Sequence, residues 1–193
     1  MKRILLFSKQ NEEKIFNMIF SSEIKNRILA YMPSHMPDCS PKYIQDWMSY
    51  AKRRNAKFNL IDNSKINNIK EQNKLFKSNI LVLTGGNTFQ FLYNIRKSGL
   101  DKTIKKFSEK DEFIIAGFSA GAIILTPSIK IAELPNHNSN LIGLKDLTGL
   151  GFVDFEVFPH YSEEYEKNVE EYKKNTKYEV KTIIDGGHIL IDL

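Results

Sequence analysis

Short apolar runs recur along the chain, separated by charged stretches: Ile4 to Phe7, Ile28 to Met32, Phe58 to Ile61, Ile80 to Leu83, Phe113 to Ala116 and Val153 to Phe158. Runs this short and rich in Ile, Leu, Val and Phe have the form of strands buried on both faces. The stretches between them place apolar residues three and four apart, as at Tyr43, Trp47, Tyr50 and Ala51, which is the spacing of a half-buried helix. The alternation predicts an α/β fold, a mostly parallel sheet with helices on both faces. Ser40 and Pro41 supply a cap and a first helical residue for the segment holding Trp47, whose aromatic residues are expected in the core. From Val180 to Leu193, two apolar runs flank Asp185-Gly186-Gly187 and predict a C-terminal hairpin.

One apolar run ends in a departure from this pattern. Ile114-Ile115-Ala116-Gly117-Phe118-Ser119-Ala120-Gly121-Ala122-Ile123-Ile124 reads as a strand, a sharp Gly-x-Ser-x-Gly turn and an apolar helix, the sequence form of a nucleophile elbow. Small residues at Gly117, Ala120 and Gly121 suit a turn where strand and helix nearly touch. Ser119 would then stand above the sheet with the first amides of the next helix aimed at what it attacks. The structural alternative is an ordinary glycine-rich connection.

Ligands of open α/β sheets gather at the carboxyl ends of the strands, and two more strand ends carry suitable chemistry. Leu81-Val82-Leu83 stops at Thr84-Gly85-Gly86-Asn87-Thr88, where Asn87 can cap a helix over Phe89 to Lys97. Backbone amides at Gly85 and Gly86, with that of Ala120, form a candidate oxyanion hole. Phe155-Glu156-Val157-Phe158-Pro159-His160 places His160 as the candidate general base for Ser119. His35 is the second choice, whereas His137 falls in a polar Asn-rich loop and His188 in the terminal hairpin.

The remaining composition narrows the class. At 193 residues the chain suits a single domain spanning 1–193 with a sizeable core. The net charge of +5 comes from lysines dispersed among Asn and Glu rather than from a basic stripe, which argues against nucleic acid as a partner. The densest basic cluster, Lys52-Arg53-Arg54, closes a predicted helix, where cations favour the carbonyl end. Cys39 is the only cysteine, so an internal disulfide and a thiolate metal cluster are excluded and a reducing, cytoplasmic setting is expected. No apolar stretch is long enough for a signal peptide or a membrane span. No cofactor is expected: Gly85-Gly86-Asn87-Thr88 lacks the lysine of a phosphate loop, and no metal-ligand cluster is apparent.

The three motifs, Thr84-Gly85-Gly86-Asn87-Thr88-Phe89-Gln90-Phe91-Leu92, Gly117-Phe118-Ser119-Ala120-Gly121-Ala122 and Phe158-Pro159-His160-Tyr161, occur in the order and spacing of the dipeptidase E family of serine peptidases, which the chain resembles over nearly its whole length. The resemblance implies a class I glutamine amidotransferase-like fold with serine at the elbow, a Ser-His-acid triad and hydrolysis of short peptides, in characterised members those beginning with aspartate. Ser119 and His160 match the family's nucleophile and base, and the glycines with Ala120 match its oxyanion positions. The family acid follows the serine closely, which favours Glu133; the related cyanophycinases take it from a later segment, for which Asp185 is the alternative. An aspartyl substrate calls for a cation, preferably a forked arginine. The segment after His160 is acidic, which leaves Arg96 or Lys130 to supply it.

The expected function is a serine exopeptidase acting on dipeptides or similarly short peptides, with no membrane partner and a homodimer admissible. A small esterase shares the elbow, but its histidine normally comes late in the chain, after the acid. A non-catalytic or regulatory binding protein on the same fold is the reading from a different class.

Overall fold

The run of strand β1 (Lys2–Phe7) divides its side chains between two buried clusters: Ile4 and Leu6 enter one, Leu5 and Phe7 the other. Such two-sided burial is why no polar residue alternates within it. β2 (Ile28–Met32), β3 (Lys57–Leu60), β4 (Ile80–Leu83) and β5 (Phe113–Phe118) follow, with β4 and β5 wholly buried and β3 less covered at one edge. The computed structural model describes residues 1–9, 13–20, 24–135 and 139–193; His137 of the Asn-rich loop lies outside them.

Three shorter strands complete the chain, β6 (Glu156–Pro159), β7 (Val180–Ile183) and β8 (His188–Asp192). The main sheet has the order β3-β2-β4-β5-β1-β8, parallel throughout except where β8 runs antiparallel to β1. Helices α1 (Glu13–Ile19) and α2 (Pro41–Arg53) cover the Leu5 face. The Ile4 face is covered by α3 (Ile69–Lys77), α4 (Thr88–Ser98), α5 (Leu100–Ser108), α6 (Ala120–Ile124) and α7 (Glu166–Lys173). This is the α/β architecture with helices on both faces that the hydrophobic pattern predicts. No described helix is long and apolar enough to cross a membrane.

Local signals act largely as expected. Pro41 opens α2, although the Ser40 side chain at the cap position makes no capping bond. Trp47 is buried, with its ring edge-on to Phe16 at 4.9 Å and close to Tyr31 and Phe118, so it is core. Asn87 caps α4 by accepting from the Gln90 amide at 3.0 Å.

The C-terminal pair of strands is present, joined by a tight turn closed by Gly187 N–H to Ile184 O at 2.8 Å. Beyond the turn each strand takes a different partner. β7 runs parallel to β6 in a small second sheet, and β8 joins the main sheet beside β1. The chain therefore diverges at residues 184–187 and leaves Asp185 between the two sheets.

A buried carboxylate fixes the small sheet to α7. Glu156 is fully buried and accepts hydrogen bonds from the Tyr172 hydroxyl at 3.0 Å and Thr176 Oγ1 at 2.9 Å. Burial and that carboxylate push the Tyr172 phenol well above its usual range, so it remains a donor. Removing the hydroxyl strips a buried acceptor of a partner: Tyr172→Phe is expected to lower unfolding free energy by about 1–3 kcal/mol in urea titration, without change of fold by circular dichroism.

Candidate active site

β5 turns into α6 at Ser119, whose backbone sits at φ 50°, ψ −112°. For a residue with a side chain such a conformation costs about 1–3 kcal/mol and persists only when its surroundings fix it. The surroundings here are hydrogen bonds. Ser119 N–H donates to Phe7 O at 2.9 Å, while Ser119 O accepts from the amides of Ala122 and Ile123 at 2.9 and 3.0 Å. Gly121 N–H reaches across to Thr84 O at 3.0 Å. That approach leaves no room for a methyl group, since a Cβ on Gly121 would lie 2.2 Å from Leu83 O and one on Gly117 would lie 2.4 Å from Gly121 O.

The side chain of Ser119 begins a chain of hydrogen bonds. Its Oγ lies 2.9 Å from His160 Nε2, and His160 Nδ1 lies 2.7 Å from Asp185 Oδ1. His160 follows β6 and also has a left-handed backbone, φ 58°. Ser8, at the end of β1 and fully buried, holds this conformation: its Oγ accepts from His160 N–H at 2.8 Å and donates to Asp185 Oδ1 at 2.8 Å. The same oxygen lies 3.3 Å from His160 Nδ1. Sequence reasoning missed Ser8. The available signal was a small hydroxyl residue directly after the first strand, on the edge where ligands collect.

The acid expected first, Glu133, is not part of this chain. It ends a 3-10 turn, Lys130–Glu133, in which Ile131 and Ala132 are buried and Glu133 itself is exposed. Both nitrogens of His160 are already engaged, Nε2 by Ser119 and Nδ1 by Asp185, which the divergence of β7 from β8 brings to the ring. Of the other described histidines, His35 Nδ1 pairs with Asp38 at 2.9 Å, and His188 of β8 lies beside the Phe7 ring. Arg96 is tied to the carbonyls of Asp146 and Thr148 at 2.7 and 2.6 Å and to the Asp146 carboxylate, while Lys130 lines a separate cavity beside α7.

Gly85 and Gly86 lie beside the serine, with the Cβ position of Gly85 only 3.4 Å from Ser119 Cβ. Gly86 has φ +135°, and a Cβ there would lie 2.0 Å from Ser34 Oγ. The amides of Gly85, Gly86 and Ala120 take no backbone acceptor among the described residues. Gly85 and Gly86 line a cleft of about 410 Å3 along the carboxyl edge of the sheet, bounded also by Ser8 and Lys9, Tyr31, Pro33 to His35, Asp38 to Ser40, Tyr43 and Ser119 with His160. Among the described residues no group of three or more His, Cys, Asp or Glu side chains converges to hold a metal.

Comparison with known proteins gives the family. The chain matches the profile of Peptidase family S51 over residues 5–192. The chain belongs to this family. An uncharacterized peptidase of Pasteurella multocida is 28% identical over 163 residues, covering 84% of this chain and 78% of that protein. An uncharacterized peptidase of Listeria monocytogenes is 35% identical over 89 residues, 46% of this chain and 43% of its own length. In fold the chain is similar to a crystal structure from Listeria monocytogenes EGD-e described as a peptidase E protein, with TM-score 0.78, 23% identity and coverage of 99% and 94% of the two chains. It is also similar to that of a peptidase from an acI-B1 Actinobacterium, with TM-score 0.70, 16% identity and coverage of 99% and 83%. The protein is thus a serine peptidase, its serine type following from family S51.

Within this hydrogen-bonded cluster the Asp185 carboxyl titrates below its usual range. Partial burial would raise it, but the hydrogen bonds from Ser8 and His160, with the charges of His160 and Lys9, outweigh that effect. A depressed folded-state pKa adds stability that is complete above the unfolded value of about 3.9 and disappears as pH falls through the lower folded value. Asp185→Asn should therefore remove part of the acid slope of stability below about pH 4, read from urea midpoints at stepped pH. If His160 is the base, Ser8→Ala should lower kcat by up to about a hundredfold with little change in KM, because the imidazole loses the hydroxyl that orients it; steady-state kinetics on any cleaved peptide checks it.

Proposed function

We propose that this serine peptidase is an exopeptidase for dipeptides and similarly short peptides, with Ser119 as nucleophile, His160 as general base and Asp185 as the third member of the triad. The observation that carries the reading is the unbroken run of hydrogen bonds from Ser119 Oγ through His160 to Asp185, at 2.9 and 2.7 Å. His160 Nε2 takes the hydroxyl proton as Ser119 Oγ attacks the scissile carbonyl. The carbonyl oxygen, now an anion, lies toward the amides of Gly85 or Gly86 and of Ala120; a donor of this kind typically lowers the barrier by ~3 kcal/mol. The C–N bond breaks as His160 returns its proton to the leaving amine. Water, deprotonated by the same imidazole, then releases the acyl group and restores the serine. Asp185 keeps the Nδ1 proton in place and stabilises the imidazolium.

The cleft supports a small substrate, since about 410 Å3 is near the lower end of small-molecule sites, ~300–1,000 Å3. With Cys39 as the lone cysteine, a cytoplasmic supply of peptide fragments suits the protein.

A panel of free and N-blocked dipeptides, with a nitrophenyl ester as a control, tests the reading. The wild type should cleave free dipeptides in preference to the ester, and Ser119→Ala should abolish cleavage. Asp185→Asn should lower kcat by about 10³–10⁴-fold, while Glu133→Gln should stay within about twofold of wild type. Equal loss in the two carboxylate variants would remove Asp185 from the triad. An absence of turnover together with failure of a fluorophosphonate to label Ser119 would point to a binding role.

A further inference from the structure

The order of strands gives the cleft a direction. Ser119 rises over β5; Ser8 and Lys9 follow β1 on one side of it, Gly85 and Gly86 follow β4 on the other, and His35 to Asp38 follow β2 one strand further out. His160 is bonded to Ser8, so the amine to which it gives a proton leaves toward β1. The acyl residue, the first of the peptide, must then extend toward β4 and β2, where most of the cleft wall stands.

The charges along that wall are unequal. Lys9 is the only lysine or arginine lining the cleft among the described residues, and it stands on the departing side, 3.7 Å from Asp185. Arg96 and Lys130 are committed elsewhere. On the β2 side the wall offers Tyr31, Tyr43, His35 and a single carboxylate, Asp38. His35 Nδ1 sits 2.9 Å from Asp38 Oδ2 and fixes that group, whose side chain is still 80% exposed. Tyr31 is kept a neutral phenol, first by its burial and then by Cys39, Tyr43 and the carboxylate of Asp46.

We propose that Asp38, oriented by His35, is the specificity-determining residue of the first-residue subsite and receives a cationic nitrogen of the substrate's N-terminal residue, so that this peptidase disfavours an N-terminal aspartate. The assignment rests on the exopeptidase reading for its direction. The cation is an ammonium, either the free α-amine or a lysine side chain, and the two sources separate in the test. An aspartyl side chain in the same place would face a carboxylate without a guanidinium to balance it.

Titration calorimetry on Ser119→Ala protein measures affinity without turnover, using Lys-Ala, Ala-Ala, N-acetyl-Lys-Ala and Asp-Ala. Lys-Ala should bind about fivefold or more tightly than Asp-Ala, the size of a well-placed solvent-accessible charge contact. Adding Asp38→Asn should bring that ratio close to one, and Asp38→Glu should restore it. Weak binding of N-acetyl-Lys-Ala beside strong binding of Ala-Ala identifies the α-amine; the reverse identifies the side chain. Asp-Ala binding as tightly as Lys-Ala, a ratio that survives Asp38→Asn, or no binding by any of the four peptides overturns the proposal. Failure of the peptidase reading shows separately, as absence of turnover by the wild type.

Discussion

The contact on which this molecule depends is the one between the backbones of β4 and α6, where Gly121 N–H meets Thr84 O at 3.0 Å. It draws the first turn of α6 against the end of β4, which leaves Ser119 in its unfavourable conformation and sets Gly85 beside it. A strained residue is held when its surroundings over-determine it, and here the constraint comes from three parallel strands: Phe7 of β1 accepts from Ser119, Thr84 extends β4, and Gly117 belongs to β5. The stacked rings of Phe7 and Phe118, 4.8 Å apart, with the edge of Trp47 against Phe118, form the support beneath it. Core packing and site geometry are in this sense one structure.

The second constraint is the way the chain ends. A simple hairpin would satisfy one edge of each C-terminal strand with the other. β7 and β8 instead find separate partners, which opens the turn and inserts Asp185 between the sheets beside His160 and Ser8. The buried Glu156, tied to Tyr172 and Thr176, holds β6 at the height from which His160 projects.

How much of this the sequence disclosed follows the range of each interaction. Two-sided burial leaves its mark within four residues, so the strands were legible, as were the small residues of the elbow and the Asn87 cap, a bond that reaches only three residues along the chain. The strand ends that carry Ser119 and His160 were legible too, and the structure brings these two side chains within 2.9 Å of each other. The partner of His160 Nδ1 was not, because the preference for Glu133 relied on distance along the chain, whereas Asp185 arrives through a divergence of strands that no local pattern encodes. Ser8 looked like the polar residue that ends any buried strand. The order β3-β2-β4-β5-β1-β8 also lay beyond local reading, and it is what gives the cleft its two chemically different ends.

The docking of β8 on β1 pairs Arg3 with Asp192 and Phe7 with His188, joining nearly the first residue to nearly the last. Contacts of such sequence separation form late, since loop closure must precede any gain from them. During synthesis, β5 and the elbow can assemble on β1 and β4 well before residues 185–192 exist. The serine turn can therefore form before the carboxylate that meets His160 Nδ1 has been made, and the run of hydrogen bonds that starts at Ser119 closes only once β8 has docked on β1.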